Sequence, residues 1–359
     1  MSRSRDIVFL LGAGASAEAG IPTSAEMIDR IQGRLRSDWT EFAELYNHVR
    51  SAIHYSAGLK GRFNNDVPYN IETLVNTLYE LERNEDHPVY PFIAAWNSRF
   101  VSLAGPKFEQ VKTFRHKILT ALKGWMCLAD PSEADYYKGL IGIQRALNFP
   151  LRIFSLNYDS CVESLSSSEF VVEVGFSGFG PKHVWSFERF LENDRGENPL
   201  PQVFLYKLHG SIDWVRDKTS QDLSRVQQIE LITADQMEVI FGREFKLEAA
   251  DPYLFYAYEF RQSALEAKLI VAVGYGFADE HINKMLSQAL RPDGARQLLV
   301  VAKREEEKAR EAKRLEIAQK LGVPADRITV DPGTAKSFLS SGGVAKRLVE
   351  AVAEPAGSF

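Results

Sequence analysis

Cysteine is scarce: Cys127 and Cys161 are the two thiols in 359 residues. Two thiols cannot build a four-cysteine zinc site and imply no disulfide framework, which fits a reducing compartment. No run approaches the roughly 18 apolar residues of a membrane-spanning helix, so no membrane partner is expected. The residues ahead of Ile7 are polar, with no signal-type apolar core, and the expected location is cytoplasmic. Excess positive charge is missing too: 43 Lys and Arg face 48 Asp and Glu, for a formal net charge of −5. Without a basic stripe interleaved with aromatics, direct nucleic-acid binding is not expected. His48, His54, His87, His116 and His183 match no metal-ligand spacing and read as surface or structural residues. The overall composition is that of a globular chain long enough to bury a sizeable core.

What the chain does have begins at Ile7. Five consecutive apolar residues, Ile7 to Leu11, predict a buried strand, and Gly12-Ala13-Gly14 follows at once. Gly12-x-Gly14-x-x-Ala17 is the glycine fingerprint of a strand-turn-helix unit. In such a unit a pyrophosphate sits against free N–H groups and the positive end of the helix predicted next. The absent side chains at Gly12 and Gly14 would let a phosphate reach the backbone. Such charge interactions are worth only about 0.3–1 kcal/mol each, so the loop positions a dinucleotide rather than transforming it. A dehydrogenase would also carry an acidic residue after a second strand, about 20 residues on, to hold the ribose. The stretch from Ile31 to Ala43 contains no such strand, which disfavours hydride transfer.

Farther along, Ala25 to Leu35 has helical spacing after Pro22. Helical runs Glu41–Tyr55, Ile71–Leu81, Phe92–Leu103 and Phe108–Leu128 occupy a region without strand signals, read as a helical insertion over residues 38–130. Asn64 to Pro68 reads as a loop and Asn70 as an N-cap. Strand signals return at Leu151–Leu156, followed by Asn157-Tyr158-Asp159; at Val203–Leu208, followed by His209-Gly210; and at Lys268–Val273, followed by Gly274-Tyr275-Gly276. Gln297–Val301 and Arg327–Val330 complete the set, within a C-terminal α/β portion over residues 290–359. Strands alternating with helices predict an α/β fold with a parallel sheet covered on both faces. Ligands of such sheets bind beyond the carboxyl ends of the strands, where the glycine loop, Asn157, His209 and Gly274 would lie.

Among these residues, His209 can act as a base near neutral pH; alternatively its ring ties the turn to a backbone carbonyl. The Asn157 amide can hold a water or a hydroxyl, or cap a following helix. Asp159 can assist electrostatically or complement a helix dipole from its first turn. Asp279 and His281, at a predicted helix start, read as capping and packing residues. The charged helix from Arg304 to Leu321, with Glu306 four residues before Arg310, reads as a solvated face, with an oligomer contact as the alternative.

Taken in order after strands, the glycine loop, Asn157-Tyr158-Asp159, Leu208-His209-Gly210-Ser211-Ile212-Asp213 and Gly274-Tyr275-Gly276-Phe277-x-Asp279 resemble the motifs of bacterial Sir2-like proteins. The group in question is similar to NAD-consuming effectors of anti-phage defence rather than to the protein deacetylases. The resemblance runs from Ile7 to about Leu286, with Asn70-Ile71-Glu72 as a further match. It implies a single domain over residues 1–359, a Rossmann-like parallel sheet of the Sir2 type with a helical insertion and no zinc module. It implies that His209 works on the nicotinamide-ribose hydroxyls and that Asn157 is the second essential residue. Gly12, Ala13, Gly14 and Ser16 would form the phosphate cradle, with Asp159 beside it, and Gly274 and Tyr275 would approach the adenosine side.

Two departures from the deacetylase branch bear on the reaction. The four-cysteine zinc module is missing, and Thr23-Ser24-Ala25 stands where that branch has Asp-Phe-Arg after Gly-Ile-Pro. Water then becomes the expected acceptor, and NAD+ a substrate cleaved to nicotinamide and ADP-ribose without a metal. The alternatives are an NAD-dependent deacylase or ADP-ribosyltransferase, or a non-enzymatic NAD-binding scaffold for a partner ATPase or Argonaute-type protein. A hydrolase that empties the NAD pool would be toxic if always active. Regulation through a homo-oligomer or a separately encoded partner such as an ATPase is therefore expected.

Overall fold

A strand made only of apolar residues has no solvent face, and Ile7–Leu11 (β1) is buried at all five positions. The computed structural model describes residues 5–63, 67, 69–82, 98–194, 201–217, 219–234, 236–239, 251–304 and 306–352. Along these residues β1 is followed by β2 (Leu151–Ser155), β3 (Val172–Glu173), β4 (Val203–Lys207), β5 (Gly210–Arg216), β6 (Leu223–Arg225), β7 (Met237–Val239), β8 (Leu269–Val273), β9 (Gln297–Val301) and β10 (Ile328–Asp331). Seven of them form one parallel sheet in the order β10-β9-β8-β1-β2-β4-β3. Like β1, strands β2, β4 and β8 are buried throughout, as parallel strands covered on both faces must be.

The register aligns the strand ends. Leu11 pairs with Ser155 and with Val273, Ser155 with Lys207, and Val273 with Val301. The segments that begin at Gly12, Leu156, Leu208, Gly274 and Ala302 therefore leave the sheet along one carboxyl edge. Strand β1 has β2 on one side and β8 on the other, so the chain changes direction across the sheet at the glycine loop. A crevice opens at such a switch point.

Between β1 and its neighbour β2 the described residues form helices and no strand, at Ser24–Arg34, Ala43–Leu59, Ile71–Glu82, Ser98–Ala104, Glu109–Met126 and Gly139–Leu147. Thr23 and Glu26 close a capping box at the first of these. The Asn70 side chain accepts the Thr73 amide at 2.8 Å, which fixes the start of Ile71–Glu82 and with it Glu72. Buried Phe114, stacked on Phe42 at 5.1 Å between ring centroids and edge-on to Trp39 at 6.3 Å, knits this helical layer together. Asn64, Asn65, Asp66 and Pro68 of the expected loop, the Phe92 to Asn97 start of an expected helix, and His87 lie outside the described residues.

The structure departs from the sequence reading in three places. The glycine loop does not lead directly into an α-helix: Ala13–Ala15 and Ala17–Ala19 form 3-10 turns, and the helix waits until Ser24. The two-residue edge strand β3 has no counterpart among the expected strands. A second, antiparallel sheet, β6-β5-β7, grows from the turn after His209.

Candidate active site

Three glycines weld two loops at the carboxyl edge. Gly14 donates its amide to the Gly274 carbonyl at 2.9 Å, and Gly12 to that of Val273 at 3.0 Å. A Cβ on Gly12 would meet the Gly274 oxygen at 2.7 Å, and one on Gly274, whose φ is +64°, would meet the Ala15 nitrogen at 2.1 Å. The glycines thus let the loop after β1 pack against the loop after β8. This corrects the expectation of a cradle of free amides: the Gly12, Gly14, Ala15 and Ser16 N–H groups all have backbone acceptors. Ala13, Ala17 and Glu18 are the amides of Ala13–Ala19 without an acceptor among the described residues, and all three line the cavity described below. They are the donors left for a phosphate.

Ser16 sits behind the loop rather than in it. Its hydroxyl is fully buried, donates to Asp159 Oδ2 at 2.8 Å, accepts from Asn157 Nδ2 at 3.1 Å and shares a hydrogen bond with the Tyr137 hydroxyl at 2.9 Å. It therefore positions the Asn-Tyr-Asp segment, a correction to its expected place in the phosphate cradle. Burial, with the Asp159 charge beside it, pushes the Tyr137 hydroxyl well above the usual tyrosine range and keeps it neutral. No α-helix follows β2, so Asn157 is not a helix cap. Its Oδ1 is buried without a hydrogen-bond partner among the described residues, on a residue that lines the cavity. Asp159 instead closes a local turn, accepting the Cys161 amide at 3.0 Å, and has no helix dipole to serve.

A buried cation holds this segment from the sheet side. Lys207, the last residue of β4, donates to the Tyr158 and Asp159 carbonyls, to Glu163 Oε1 at 2.8 Å and to the Ser211 hydroxyl at 2.8 Å. Burial pushes the Glu163 carboxyl up, opposed by the lysine charge.

His209 stands between two carboxylates. Its Nε2 lies 3.1 Å from Asp279 Oδ2, and its Nδ1 lies 3.6 Å from Glu72 Oε1. Asp279 caps the Glu280–Leu290 helix as expected, with Oδ1 accepting the His281 and Ile282 amides, while Oδ2 faces the imidazole. The buried Tyr275 hydroxyl ties this loop to the helix, donating to Asn283 Oδ1 at 2.9 Å and to the Asp279 carbonyl at 3.2 Å. His281 is exposed and takes no part.

One cavity of about 740 Å3 collects these groups, a size usual for a small-molecule site. Its walls include Ala13, Asn157, Asp159, His209, Gly274 and Tyr275, joined by Glu72 and Asp279, and at its other end Lys303, Arg304, Lys313 and Thr334. Of the residues expected at the site, Ser16 is the one displaced from the wall. Sequence reasoning assigned no role at the site to Glu72, Tyr137, Lys207 or the three cations. Among the described residues no group of three or more His, Cys, Asp or Glu is placed to hold a metal ion, and no helix is long and apolar enough to cross a membrane.

Comparison with known proteins finds a likeness over part of the chain. Residues 151–322, which contain Asn157, Asp159, His209, Gly274 and Tyr275, match the family model of the SIR2-like domain. With the seven-stranded parallel sheet, this match establishes the Sir2-like fold class. Among solved structures, the chain is similar to a Sir2 homologue in complex with NAD, at 11% identity, covering 98% of this chain and 93% of that one with a TM-score of 0.43. It is also similar to a mutant Sir2 homologue in complex with 2'-O-acetyl ADP ribose, at 13% identity, covering 98% and 94% with a TM-score of 0.42. Likenesses this distant carry no functional argument. No curated protein matches the chain.

Proposed function

We propose that the chain is an NAD+ glycohydrolase. The observation that carries this reading is the meeting of Asn157 and His209 on the wall of one cavity at the switch point of a Sir2-like sheet. The buried Asn157 Oδ1 is an acceptor awaiting a donor, which a ribose hydroxyl or a water can supply. With Asp279 ionised, His209 carries its hydrogen on Nε2, leaving Nδ1 as the basic atom on the side of Glu72. The 3.6 Å gap between Nδ1 and Glu72 Oε1 is too long for a direct hydrogen bond, and a hydroxyl entering there can donate to either acceptor. The amides of Ala13, Ala17 and Glu18 would take the pyrophosphate.

The reaction breaks the bond between the nicotinamide nitrogen and the ribose anomeric carbon, and both bonding electrons leave with nicotinamide. The pyridinium becomes a neutral molecule, so no proton is needed for departure. The oxocarbenium-like sugar is met by water held at Asn157. One proton of that water passes to solvent, with His209 as the base that polarises the ribose hydroxyls, and the products are nicotinamide, ADP-ribose and H+. The same reading extends to a toxic effector of an abortive anti-phage response. Unregulated NAD+ depletion would harm its host, so assembly into a homo-oligomer or a separately encoded partner such as an ATPase would control it.

Nicotinamide release from NAD+ by the purified chain tests this, with and without the protein encoded beside it. Wild type should release nicotinamide and ADP-ribose in equal amounts, and His209→Ala and Asn157→Ala should each lose at least about 100-fold. Product that appears only when a peptide or protein acceptor is added would favour a transferase. NAD+ that stays intact under every condition would end the enzymatic reading.

A further inference from the structure

We propose that the far end of the cavity is a phosphate site, and that the dinucleotide it suits carries an additional phosphate on its adenosine ribose, as NADP+ does. The proposal rests on the reading of the cavity as a dinucleotide site, with the nicotinamide end at Asn157 and His209.

In a nucleotide-binding sheet an acidic side chain at the adenosine end reads an unphosphorylated ribose diol, whereas a cation there accepts a 2'-phosphate. Here Val301 is followed by Ala302-Lys303-Arg304, and both Lys303 and Arg304 line the cavity. Lys303 has no ion-pair partner among the described residues, and the Arg304 guanidinium donates to the Lys303 carbonyl at 2.7 Å rather than to a carboxylate. A third cation, Lys313, reaches the same wall from the Glu307–Leu321 helix; its side chain is largely buried and its ammonium lies 2.9 Å from Glu316 Oε1.

The carboxylates nearby are committed elsewhere. Glu18 lines the cavity, but its Oε2 accepts the Lys336 amide at 2.9 Å. Asp331, at the end of β10, gives Oδ1 to the Gly333 amide at 2.9 Å and Oδ2 to Arg347 at 3.0 Å. Among the described residues the three cations therefore have one ion-pair carboxylate, Glu316, with the Glu18 charge on the same cavity wall, and positive charge is in excess. A phosphate would offset that excess of positive charge.

Calorimetric titration of the full chain with NADP+ and with NAD+ tests the proposal, in a His209→Ala background so that both ligands stay intact. NADP+ should bind at least 10-fold more tightly than NAD+ near 50 mM salt, with the gap narrowing as salt rises. The double variant Lys303→Glu, Arg304→Glu, both exposed positions that the fold does not bury, should lower the NADP+ to NAD+ affinity ratio at least 10-fold. The ratio of kcat/KM for the two dinucleotides in the unmodified chain gives an independent measure of the same preference. Equal or weaker binding of NADP+ than of NAD+, or a ratio that the double variant leaves in place, overturns the phosphate site while the dinucleotide reading survives. Failure of both dinucleotides to bind overturns the two together.

Discussion

The carboxylate of Asp279 serves two elements at once: Oδ1 caps the Glu280–Leu290 helix at the His281 and Ile282 amides, and Oδ2 lies 3.1 Å from His209 Nε2. Helix formation and imidazole orientation are thereby coupled through one side chain. The helix start explains Asp279 by itself, which is why its second contact is invisible until the fold brings β4 and β8 to the same edge.

Asp279→Asn separates the two tasks. An asparagine oxygen still caps the helix, so stability should change by no more than about 0.5 kcal/mol. An amide NH2 facing Nε2 would move the imidazole hydrogen to Nδ1, where a base needs its lone pair. Nicotinamide release should then fall by about 10²–10⁴-fold while dinucleotide affinity moves less than about 3-fold. Unfolding curves, a binding titration and a rate assay on the same preparation check this. Undiminished turnover would remove His209 from the role of base oriented by Asp279.

Much of this site could be read from the chain because its parts sit at the ends of apolar runs. Ile7–Leu11, Leu151–Ser155, Val203–Lys207 and Leu269–Val273 are unmistakable as buried strands, and parallel pairing carries Gly12, Asn157, His209 and Gly274 to one edge. Tertiary pairing stayed hidden. Glu72 reaches His209 only because the Ile71–Glu82 helix, capped by Asn70, docks at the crevice. Ser16 turns inward because Tyr137, on a 3-10 run from Pro131 to Lys138, meets its hydroxyl. Strand β5 escaped notice for a different reason: Ser211, Ile212, Asp213 and Trp214 do alternate polar and apolar, but the run is short and follows β4 after only Leu208 and His209, so it reads as the turn that carries the histidine.

The glycine seam predicts a contrast between close neighbours. A methyl group on Gly274 would lie 2.1 Å from the Ala15 nitrogen and 2.2 Å from the Gly14 carbonyl carbon, at a backbone φ of +64°. Neither neighbour is a flexible side-chain end, so Gly274→Ala should cost about 3 kcal/mol or more and separate the two loops that wall the cavity. A Cβ on Gly276 would meet no atom within 4 Å, and Gly276→Ala should stay within about 0.5 kcal/mol of wild type. Urea unfolding of the two variants makes the comparison. Equal stabilities would mean that the loops can part without loss, and that the seam does not hold the site together.

The pH dependence of stability should report the pair Asp213–Arg225, which ties β5 to β6 beside the His209 turn. Arg225 Nε donates to Asp213 Oδ2 at 2.6 Å, and both side chains are largely buried. Burial alone would raise the Asp213 carboxyl, but the Arg225 and Lys207 charges outweigh it and hold the group below its ordinary value of 3.8. A depressed folded value means that the unfolded chain takes up the proton first as pH falls. The stabilisation from this group is therefore complete above the ordinary value and is lost as pH drops through the folded one. Asp213→Asn should cost about 2 kcal/mol at pH 7, because it leaves a buried guanidinium without its charge partner. The gap between wild type and variant should shrink steadily once the pH passes below 3.8. Urea midpoints measured from pH 7 down to the acid limit of the fold would show it, and a gap that held constant or widened toward acid would contradict the assigned direction.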